Sequence, residues 1–292
     1  MKPAIDCVIV NFNTGPALVR SVASVLEQSE AARLVVIDNA SSDDSCARLR
    51  EAFGERPELK LVLNRDNVGF ARAVNQALDE EIDRDSRFVL ILNPDAELEP
   101  GALRALRSAL EAQPDAALAG PTVVGEGGGV LRGTLRRFPD PAKSLMTVTG
   151  LWRLEGRHAR FRGVEVAAEL PRETVRAEAV SGACMLVRSD ALRALGGMDP
   201  AYGLHCEDLD LMFRLREAGR PCLFVPSARV IHQQGVSSGS RPLWVHWQKH
   251  RGMQRFFRKF QADDYSPPLR WLIISGIWLR YAVTLPLTLV RR

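Results

Sequence analysis

The amino-acid sequence predicts an α/β fold in which helices cover both faces of a mostly parallel sheet. Four apolar runs are each followed by a segment whose apolar residues recur at helical spacing. Each of these units also carries polar residues just after its strand, where open parallel sheets bind their ligands. We therefore expect Asn11, Asp38, Asn67 and Asp95 to converge on one crevice.

The four units follow one another, and each has a strand, a polar loop and an amphipathic helix. Acidic residues in the first turn of the second helix suit the helix dipole, and Pro100 suits the start of the fourth. The predicted strands are 7–10, 34–37, 59–63 and 88–92. The helices carry Leu18, Val22, Val25 and Leu26 in the first unit, begin near Asp43 or Asp44 in the second, and carry Phe70, Val74, Ala77 and Leu78 in the third and Leu103, Leu106 and Leu110 in the fourth.

The pattern weakens after Gly120 and Pro121, and the elements of residues 132–175 are not predicted. Order resumes with a strand at 184–187 and a short helix for which Ser189 is the expected N-cap. A further helix is predicted from about Glu207 to Gly219, and CLFVPSARVIH reads as two short strands that end at His232.

The composition is that of a soluble protein, since 46% of the 292 residues are hydrophobic and 25% are charged. The five cysteines are scattered without CxxC spacing, which argues against disulfides and structural zinc and suits a reducing cytosol. The run 4–10 is too short for a signal-peptide core. The chain has no GxxxxGK[ST] and no GxGxxG after the first strand, which argues against P-loop hydrolases and dinucleotide enzymes.

A divalent-cation site is suggested by LNPDAEL, because hard cations such as Mg²⁺ and Mn²⁺ take oxygen ligands and bridge carboxylates to phosphates. Asp95 is the expected ligand, with Asn93 held beside it by the intervening proline. The alternative is a turn in which Asp95 only bonds its own loop. His232 is a further candidate ligand, although a single histidine is more often an ordinary residue.

Nucleotide contacts are suggested at two other strand ends. Asp38 offers a carboxylate that can accept from the imide N–H of uracil or thymine, with helix capping as the alternative. Asn67 and Gly69 precede a helix whose amides suit phosphate, and Arg72 adds charge one turn later unless it is merely solvated.

A proton acceptor is suggested by Glu207 and Asp208 at a helix start, where acids also stabilise the helix dipole. Gly182 precedes a strand and leaves room for a ligand to approach the backbone, or equally for packing.

The blocks VIVNFNT, VVIDNASSDDS, NVGFARAVN, LNPDAEL, VSGACMLVRSDALRALGGMD, EDLDLMFRLREAG and VIHQQG occur in this order. Over residues 5–240 the chain resembles family 2 inverting glycosyltransferases of the GT-A fold, and its rhamnosyltransferase-like members most closely.

The resemblance implies a role for each position. Asp38 looks like the carboxylate that reads the base, with Asn11, Asn13 and Asn67 in the nucleotide pocket. Asn93 and Asp95 take the Asp-x-Asp metal and diphosphate position, although Asn93 departs from the usual Asp, and His232 resembles the late metal ligand. Asp208 resembles the catalytic base, with Glu207 as the alternative. The implied substrates are a dTDP- or UDP-linked donor and a glycan or polyprenyl-diphosphate-linked acceptor.

The C-terminal tail 241–292 is basic and aromatic, with ten Lys or Arg against two Asp or Glu, which leaves 29 against 33 elsewhere. Its last segment is too apolar for a nucleic-acid surface, and Arg280 and Pro286 interrupt a membrane span. We expect it to lie on the cytoplasmic face of the membrane. A span and a helix pair packed on the catalytic domain or in a homodimer are the alternatives.

The predicted organisation is a catalytic domain over 1–240, with a nucleotide-sugar-binding half 1–120 and an acceptor half 121–240, followed by the amphipathic tail. The sequence leaves two other functions open. One is a non-catalytic scaffold subunit of an envelope-glycan complex, and the other is a nucleotidyltransferase, which would also use a metal and a nucleotide at a sheet edge.

Overall fold

The protein is described from a computed structural model for residues 5–166, 169–233, 235, 236 and 241–290. Its strands form one large mixed sheet and one two-stranded ribbon. In chain order they are β1 Ile5–Asn11, β2 Ala31–Asp38, β3 Leu59–Leu63, β4 Phe88–Leu92, β5 Ala96–Leu98, β6 Leu118–Val124, β7 Leu135–Arg136, β8 Val175–Ala177, β9 Ala179–Val180, β10 Cys184–Arg188 and β11 Cys222–His232.

The sheet confirms the predicted class, because its first four strands in the order β3-β2-β1-β4 are parallel. The sheet continues through β10, β6, β11 and β5. Strand β10 is antiparallel to both neighbours, β6 and β11 are parallel, and β5 and β8 pair antiparallel with β11. Strands β7 and β9 form the antiparallel ribbon.

Helices cover both faces of the sheet. Within the described residues they are α1 Ala17–Leu26, α2 Ser45–Phe53, α3 Phe70–Glu80, α4 Ala102–Ala112, α5 Pro141–Thr149, α6 Ser189–Ala194, α7 Glu207–Glu217, α8 Pro242–Phe260 and α9 Pro267–Val290. Because strand side chains alternate, Ile5, Cys7 and Ile9 of β1 pack in the layer of α1, α2 and α4, while Val8 and Val10 pack in the layer of α3, α6 and α7. The predicted apolar helix faces pack in these two layers, with Leu26 and Phe70 only half-buried.

Two predicted details are wrong. Ser189 is the first residue of α6 rather than its N-cap, and its buried hydroxyl has no hydrogen-bond partner among the described residues. CLFVPSARVIH forms the single strand β11, whose pairing with β6 shifts register between Val225 and Arg229. The proline interrupts pairing locally, as a bulge does, without ending the strand.

The stretch 132–175, where no elements were predicted, holds short structures. It contributes β7, α5 and the start of β8, together with 3₁₀ turns at Leu151–Leu154 and Ala159–Phe161. No residue of α5 is buried. This lack of a buried face is why the segment shows no apolar periodicity.

The basic tail forms two helices that pack on each other and on the sheet domain. Phe256 of α8 packs edge-on against Phe213 of α7, and Lys259 donates to the fully buried Asp210 at 2.6 Å. Trp278 of α9 donates to Gln254 of α8 at 2.9 Å. None of the helices described here has the length and apolar character to cross a bilayer. The division at 240 and 241 remains a prediction, and residues 237–240 lie outside the described residues.

Candidate functional site

The ends of β1 and β2 carry a buried polar cluster. Asn11 and Asp38 lie opposite each other in the parallel pair, and Asn11 Nδ2 donates to Asp38 Oδ1 at 2.7 Å. The backbone N–H of Ser41 donates to Asp38 Oδ2 at 3.0 Å, and its hydroxyl donates to Oδ1 at 2.6 Å. These bonds fix the orientation of the carboxylate.

Asn13 shapes the loop beside this cluster. Its backbone has φ 53°, a left-handed conformation that asparagine tolerates better than most residues. Its amide oxygen accepts from the backbone N–H of Ser42 at 2.7 Å and more weakly from that of Asp43 at 3.3 Å. Asn13 therefore organises the 41–43 loop through its oxygen.

Asn67 and Gly69 form the turn before α3. The amide oxygen of Asn67 accepts from the backbone N–H of Gly69 at 3.0 Å. That backbone N–H is therefore already hydrogen-bonded within the turn. A Cβ on Gly69 would lie 3.6 Å from the carbonyl oxygen of Gly203. The turn thus approaches the loop that leads to Glu207. Arg72 is exposed on the first turn of α3.

Three predicted metal-site residues converge although they come from distant parts of the chain. His232 Nε2 lies 3.0 Å from Asp95 Oδ1 and 3.4 Å from Asn93 Nδ2. The antiparallel pairing of β5 with β11 places His232 opposite Ala96, directly after Asp95. The side chain of Asp95 is buried, which keeps its carboxylate facing the histidine.

The donor atoms of this cluster fit a divalent cation in part. His232 Nε2 carries one proton at most, so it can donate to Asp95 or accept from Asn93 but cannot satisfy both. A divalent cation would be held by the Asp95 carboxylate and an unprotonated His232 Nε2. Across the described ranges, no three His, Cys, Asp or Glu side chains form a metal cage. Mg²⁺ typically uses one or two carboxylates together with substrate phosphates.

Glu207 and Asp208 begin α7 after an unusual turn. The two preceding residues, His205 and Cys206, both have positive φ, 66° and 69°, which is uncommon away from glycine. Two residues held in this region store strain, and such strain often occurs at functional sites. The turn places both carboxylates in the first turn of α7.

Arg136 binds the Asp208 carboxylate. Its Nη2 donates to Asp208 Oδ2 at 2.6 Å and to the carbonyl of Val180 at 2.8 Å. Burial alone would raise the pKa of Asp208, but the charge and hydrogen bond of Arg136 lower it below the usual range. Asp208 is therefore held as a carboxylate. The sequence reasoning missed Arg136, which lay in a stretch of arginines where none stood out.

Glu207 has the opposite environment. Burial and repulsion by Asp208 raise the pKa of Glu207 well above its usual range. Its Oε2 has no hydrogen-bond partner among the described residues. The pKa values of the two adjacent acids are thus shifted in opposite directions, and Asp208 is the acid that its surroundings favour as a carboxylate.

A chain of close contacts joins the cluster of Asn93, Asp95 and His232 to Asp208. A Cβ on Gly182 would lie 2.7 Å from Asp208 Oδ2, so the tight packing considered for Gly182 is what the structure has. The next residue, Ala183, accepts from the backbone N–H of Asn93 at 2.9 Å. Because Ile9 pairs with Leu92 in parallel, Asn11 and Asn93 both lie at the carboxyl ends of their strands, on the same side of the sheet. Asp38, Asp95 and Asp208 therefore belong to one edge.

The architecture resembles solved glycosyltransferases. One is GalNAc-T7 with UDP, GalNAc and Mn²⁺, with a TM-score of 0.62 and 17% identity over 87% of this chain and 47% of that chain. Another is the mannosyltransferase PcManGT from Pyrobaculum calidifontis with GDP-Man and Mn²⁺, with a TM-score of 0.60 and 17% identity over 99% of this chain and 74% of that chain. The fold is therefore the GT-A fold of nucleotide-sugar transferases.

The family follows from the sequence match. A model described as glycosyltransferase like family 2 matches residues 3–253, so the chain belongs to this family and is a glycosyltransferase. An N-acetylglucosaminyl-diphospho-decaprenol L-rhamnosyltransferase from Mycobacterium tuberculosis (strain CDC 1551 / Oshkosh) is 29% identical over 96% of this chain and 92% of its own length. The rhamnosyltransferase WbbL of Escherichia coli (strain K12) is 35% identical over 22% of this chain and 26% of its own.

Proposed function

We propose that this glycosyltransferase transfers rhamnose from a nucleoside-diphosphate donor, dTDP-rhamnose, to a hydroxyl of a polyprenyl-diphosphate-linked saccharide. The observation that carries the proposal is the chain of contacts from Asp95 and His232 through Asn93 and Ala183 to Gly182 and Asp208. It brings the proposed diphosphate-binding cluster and the proposed base to the same end of the strands. The full-length similarity to a rhamnosyltransferase supports the choice of sugar and acceptor.

The proposed reaction is a single displacement with inversion. Asp208 accepts the proton of the acceptor hydroxyl as its oxygen attacks the anomeric carbon. The new bond joins that carbon to the acceptor oxygen, and the carbon–oxygen bond to the donor phosphate breaks. Its electron pair leaves with the nucleoside diphosphate. Arg136 keeps Asp208 ionised beforehand, and no enzyme nucleophile is required.

The donor is proposed to lie along the strand ends. Asp38, held by Asn11 and Ser41, accepts from the base imide. Asn13 and the turn of Asn67 and Gly69 line the nucleotide pocket, with Arg72 supplying charge near the phosphates.

The proposed cation ligands are Asp95 and His232, with Asn93 as an amide ligand or as a donor to the diphosphate. When bound, Mg²⁺ or Mn²⁺ offsets the charge that grows on the leaving phosphate. Asp95 and His232 orient the diphosphate, and Gly182, which has no side chain, leaves room for the Asp208 carboxylate beside the donor sugar.

The proposed location is the cytoplasmic face of the membrane, where a polyprenyl-linked acceptor is embedded. Helix α9 exposes large apolar residues, among them Trp271 at 69% and Leu272 at 67%. Apolar and aromatic side chains beside cations suit the lipid interface.

The experiment uses the full chain with dTDP-rhamnose, Mn²⁺ and an N-acetylglucosaminyl-diphospho-polyprenol acceptor. We expect a rhamnosylated product and released dTDP. In Asp208→Asn, kcat should be lower by at least about 100-fold. Tight donor binding without transfer across metals, acceptors and sugar donors would instead indicate a scaffold subunit. Release of pyrophosphate would indicate nucleotidyl transfer.

A further inference from the structure

Residues 141–162 form a surface that the proposed catalytic mechanism does not use, and we call it the basic insert. It begins with α5 and continues through the two 3₁₀ turns. Because α5 buries none of its residues, its apolar side chains are open to solvent. Leu145 is 57% exposed, Val148 is 54% exposed and Leu151 is 37% exposed. Their spacing of three residues places the first two on one face of the helix.

The basic insert also carries unpaired cations. The exposed arginines Arg153, Arg157, Arg160 and Arg162 make no ion pair within the described part of the chain. By contrast, the neighbouring Arg137 is paired with Glu155. The four arginines therefore leave a net positive surface beside exposed leucine and valine.

Aromatic side chains lie between the apolar and basic residues. The guanidinium groups of Arg132 and Arg153 both lie 5.3 Å from the ring centre of Trp152. Arg160 lies 4.8 Å from the ring centre of Phe161. Half-buried aromatic rings with cations beside them are typical of the lipid headgroup region.

The basic insert adjoins the tail, which carries further exposed apolar residues. Gln261, just after α8, donates to the carbonyl of Pro139 at 2.5 Å. Phe138 stacks on Phe256 of α8, with ring centres 6.4 Å apart. The start of α5 is therefore fixed beside the end of α8.

We propose that the basic insert docks on an anionic lipid surface, with Leu145, Val148 and Leu151 in the headgroup boundary and the arginines on lipid phosphates. Charge complementarity selects this partner, because anionic lipids attract each nearby Arg or Lys, and the apolar residues add burial that an aqueous anion cannot offer. The inference rests on the proposed function only in that a lipid-linked acceptor requires a nearby membrane.

The test measures partition of the full chain onto vesicles of phosphatidylglycerol and phosphatidylcholine. We expect Arg157→Ala/Arg160→Ala to lower the partition coefficient roughly tenfold to thirtyfold. Leu145→Ser/Val148→Ser should lower it at least about tenfold, because less apolar surface enters the boundary. The matched control is Arg50→Ala/Arg56→Ala, which removes two exposed arginines at and after α2 and should lower it much less.

Hydrogen–deuterium exchange adds a local readout, and amides of α5 should become protected on vesicles but not in buffer. Partition equal to the parent in either insert variant, or α5 amides without protection, overturns the proposal. The parent could instead form a concentration-dependent dimer that the same variants lose, with no binding to vesicles. That result would assign the surface to a second copy of the chain and would also overturn the proposal.

The tail variant Trp271→Ser/Leu272→Ser separates this proposal from the proposed function. If only the tail variant loses partition, the insert proposal fails and the proposed membrane location stands. If the parent does not bind vesicles, both membrane assignments fail, whereas sugar transfer to a soluble acceptor analogue remains a separate measurement.

Discussion

Arg136 Nη2 lies 2.6 Å from Asp208 Oδ2, so the candidate base is held in an ion pair by a residue 72 positions earlier. The arginine comes from β7 and is positioned by the ribbon pairing with β9, whose Val180 carbonyl it also contacts. Its proposed task is to keep Asp208 ionised and to fix the rotamer of its carboxylate.

Replacing Arg136 with methionine should move the pH dependence of transfer. The ion pair lowers the pKa of Asp208, so its loss raises that pKa, and less of the base is ionised at acidic pH. Arg136→Met should therefore lose more activity at about pH 5.5 than at about pH 8, with the acid limb of kcat displaced to higher pH. The measurement is a pH–rate profile.

The exposed Arg132 provides the matched control. Arg132→Met removes a nearby charge whose carboxylate contact is a long 3.9 Å ion pair with Glu165. Its acid limb should stay at the parent pH. Equal loss of activity at every pH in Arg136→Met would assign Arg136 to substrate binding and not to Asp208.

The large features of the fold follow from local sequence patterns. Strands β1 to β4 are short apolar runs with polar ends, and the parallel arrangement brings those ends to one edge wherever the exact boundaries fall. The predicted site residues Asp38 and Asp95 depend on this property alone. Their positions could therefore be predicted without any long-range contact being known.

The partners of those residues could not be predicted in the same way. Arg136 reaches Asp208 through two-residue strands, which are too short to show a period. The pairing of His232 with Asp95 spans 137 positions and depends on the register of β5 with β11. Strand β11 continues past Pro226, which in the sequence indicates a strand end. Its pairing with β6 skips from Val225 to Arg229, so the N–H that the proline lacks is not needed there.

Glu207 should make stability depend on pH. The folded chain binds the Glu207 proton more tightly than the unfolded chain, because burial and Asp208 raise its pKa. Stability is therefore lost as pH rises from the usual glutamate pKa through the raised one. Glu207→Gln lacks this titrating group and should not lose that stability. The free energy of unfolding of the variant minus that of the parent should therefore rise by roughly 1–3 kcal/mol between about pH 4 and about pH 9.

Thermal unfolding of both proteins across that range is the measurement, and transfer activity is the second readout. We expect Glu207→Gln to retain most of its activity because Asp208 is the ionised acid. A loss of about 100-fold in Glu207→Gln, with Asp208→Asn still active, would make Glu207 the base. A parallel decline of both stability curves would contradict the proposed burial of the Glu207 charge.

Asp95 should carry the metal-dependent part of donor binding. With the parent, Mn²⁺ together with a nucleoside diphosphate should raise the Tm by several degrees, because the ligand binds only the folded state. Asp95→Ala should lose the part of that shift that depends on Mn²⁺, and His232→Ala should reduce it. A chelator should return the parent to the same value.

Glu97→Gln is the control for the Asp95 variant. Glu97 lies two positions later, and its carboxylate pairs with Arg20 at 2.9 Å. It should keep the Mn²⁺-dependent shift. An unchanged shift in Asp95→Ala would remove this carboxylate from the proposed metal site.

Gly252 should link helix α8 to the turn of His205 and Cys206 that precedes α7. A Cβ at Gly252 would lie 2.7 Å from the carbonyl oxygen of His205 and 3.4 Å from Cβ of Cys206. Because neither atom is the end of a flexible side chain, Gly252→Ala must displace α8 or the turn that precedes Asp208. We expect kcat to fall about tenfold to a hundredfold, since small displacements of a base are costly. Overpacking should also cost about 1–3 kcal/mol of stability.

Gly276→Ala is the matched control in the neighbouring helix. A Cβ at Gly276 of α9 meets no atom within 4 Å, so alanine there should keep kcat and stabilise the helix by up to about 1 kcal/mol. Steady-state kinetics and thermal unfolding of the two variants separate the effects. Unaltered kcat in Gly252→Ala would show that the turn tolerates the shift and that α8 does not position Asp208. A fall in kcat confined to Gly252→Ala would make α8 a positioning element of the site.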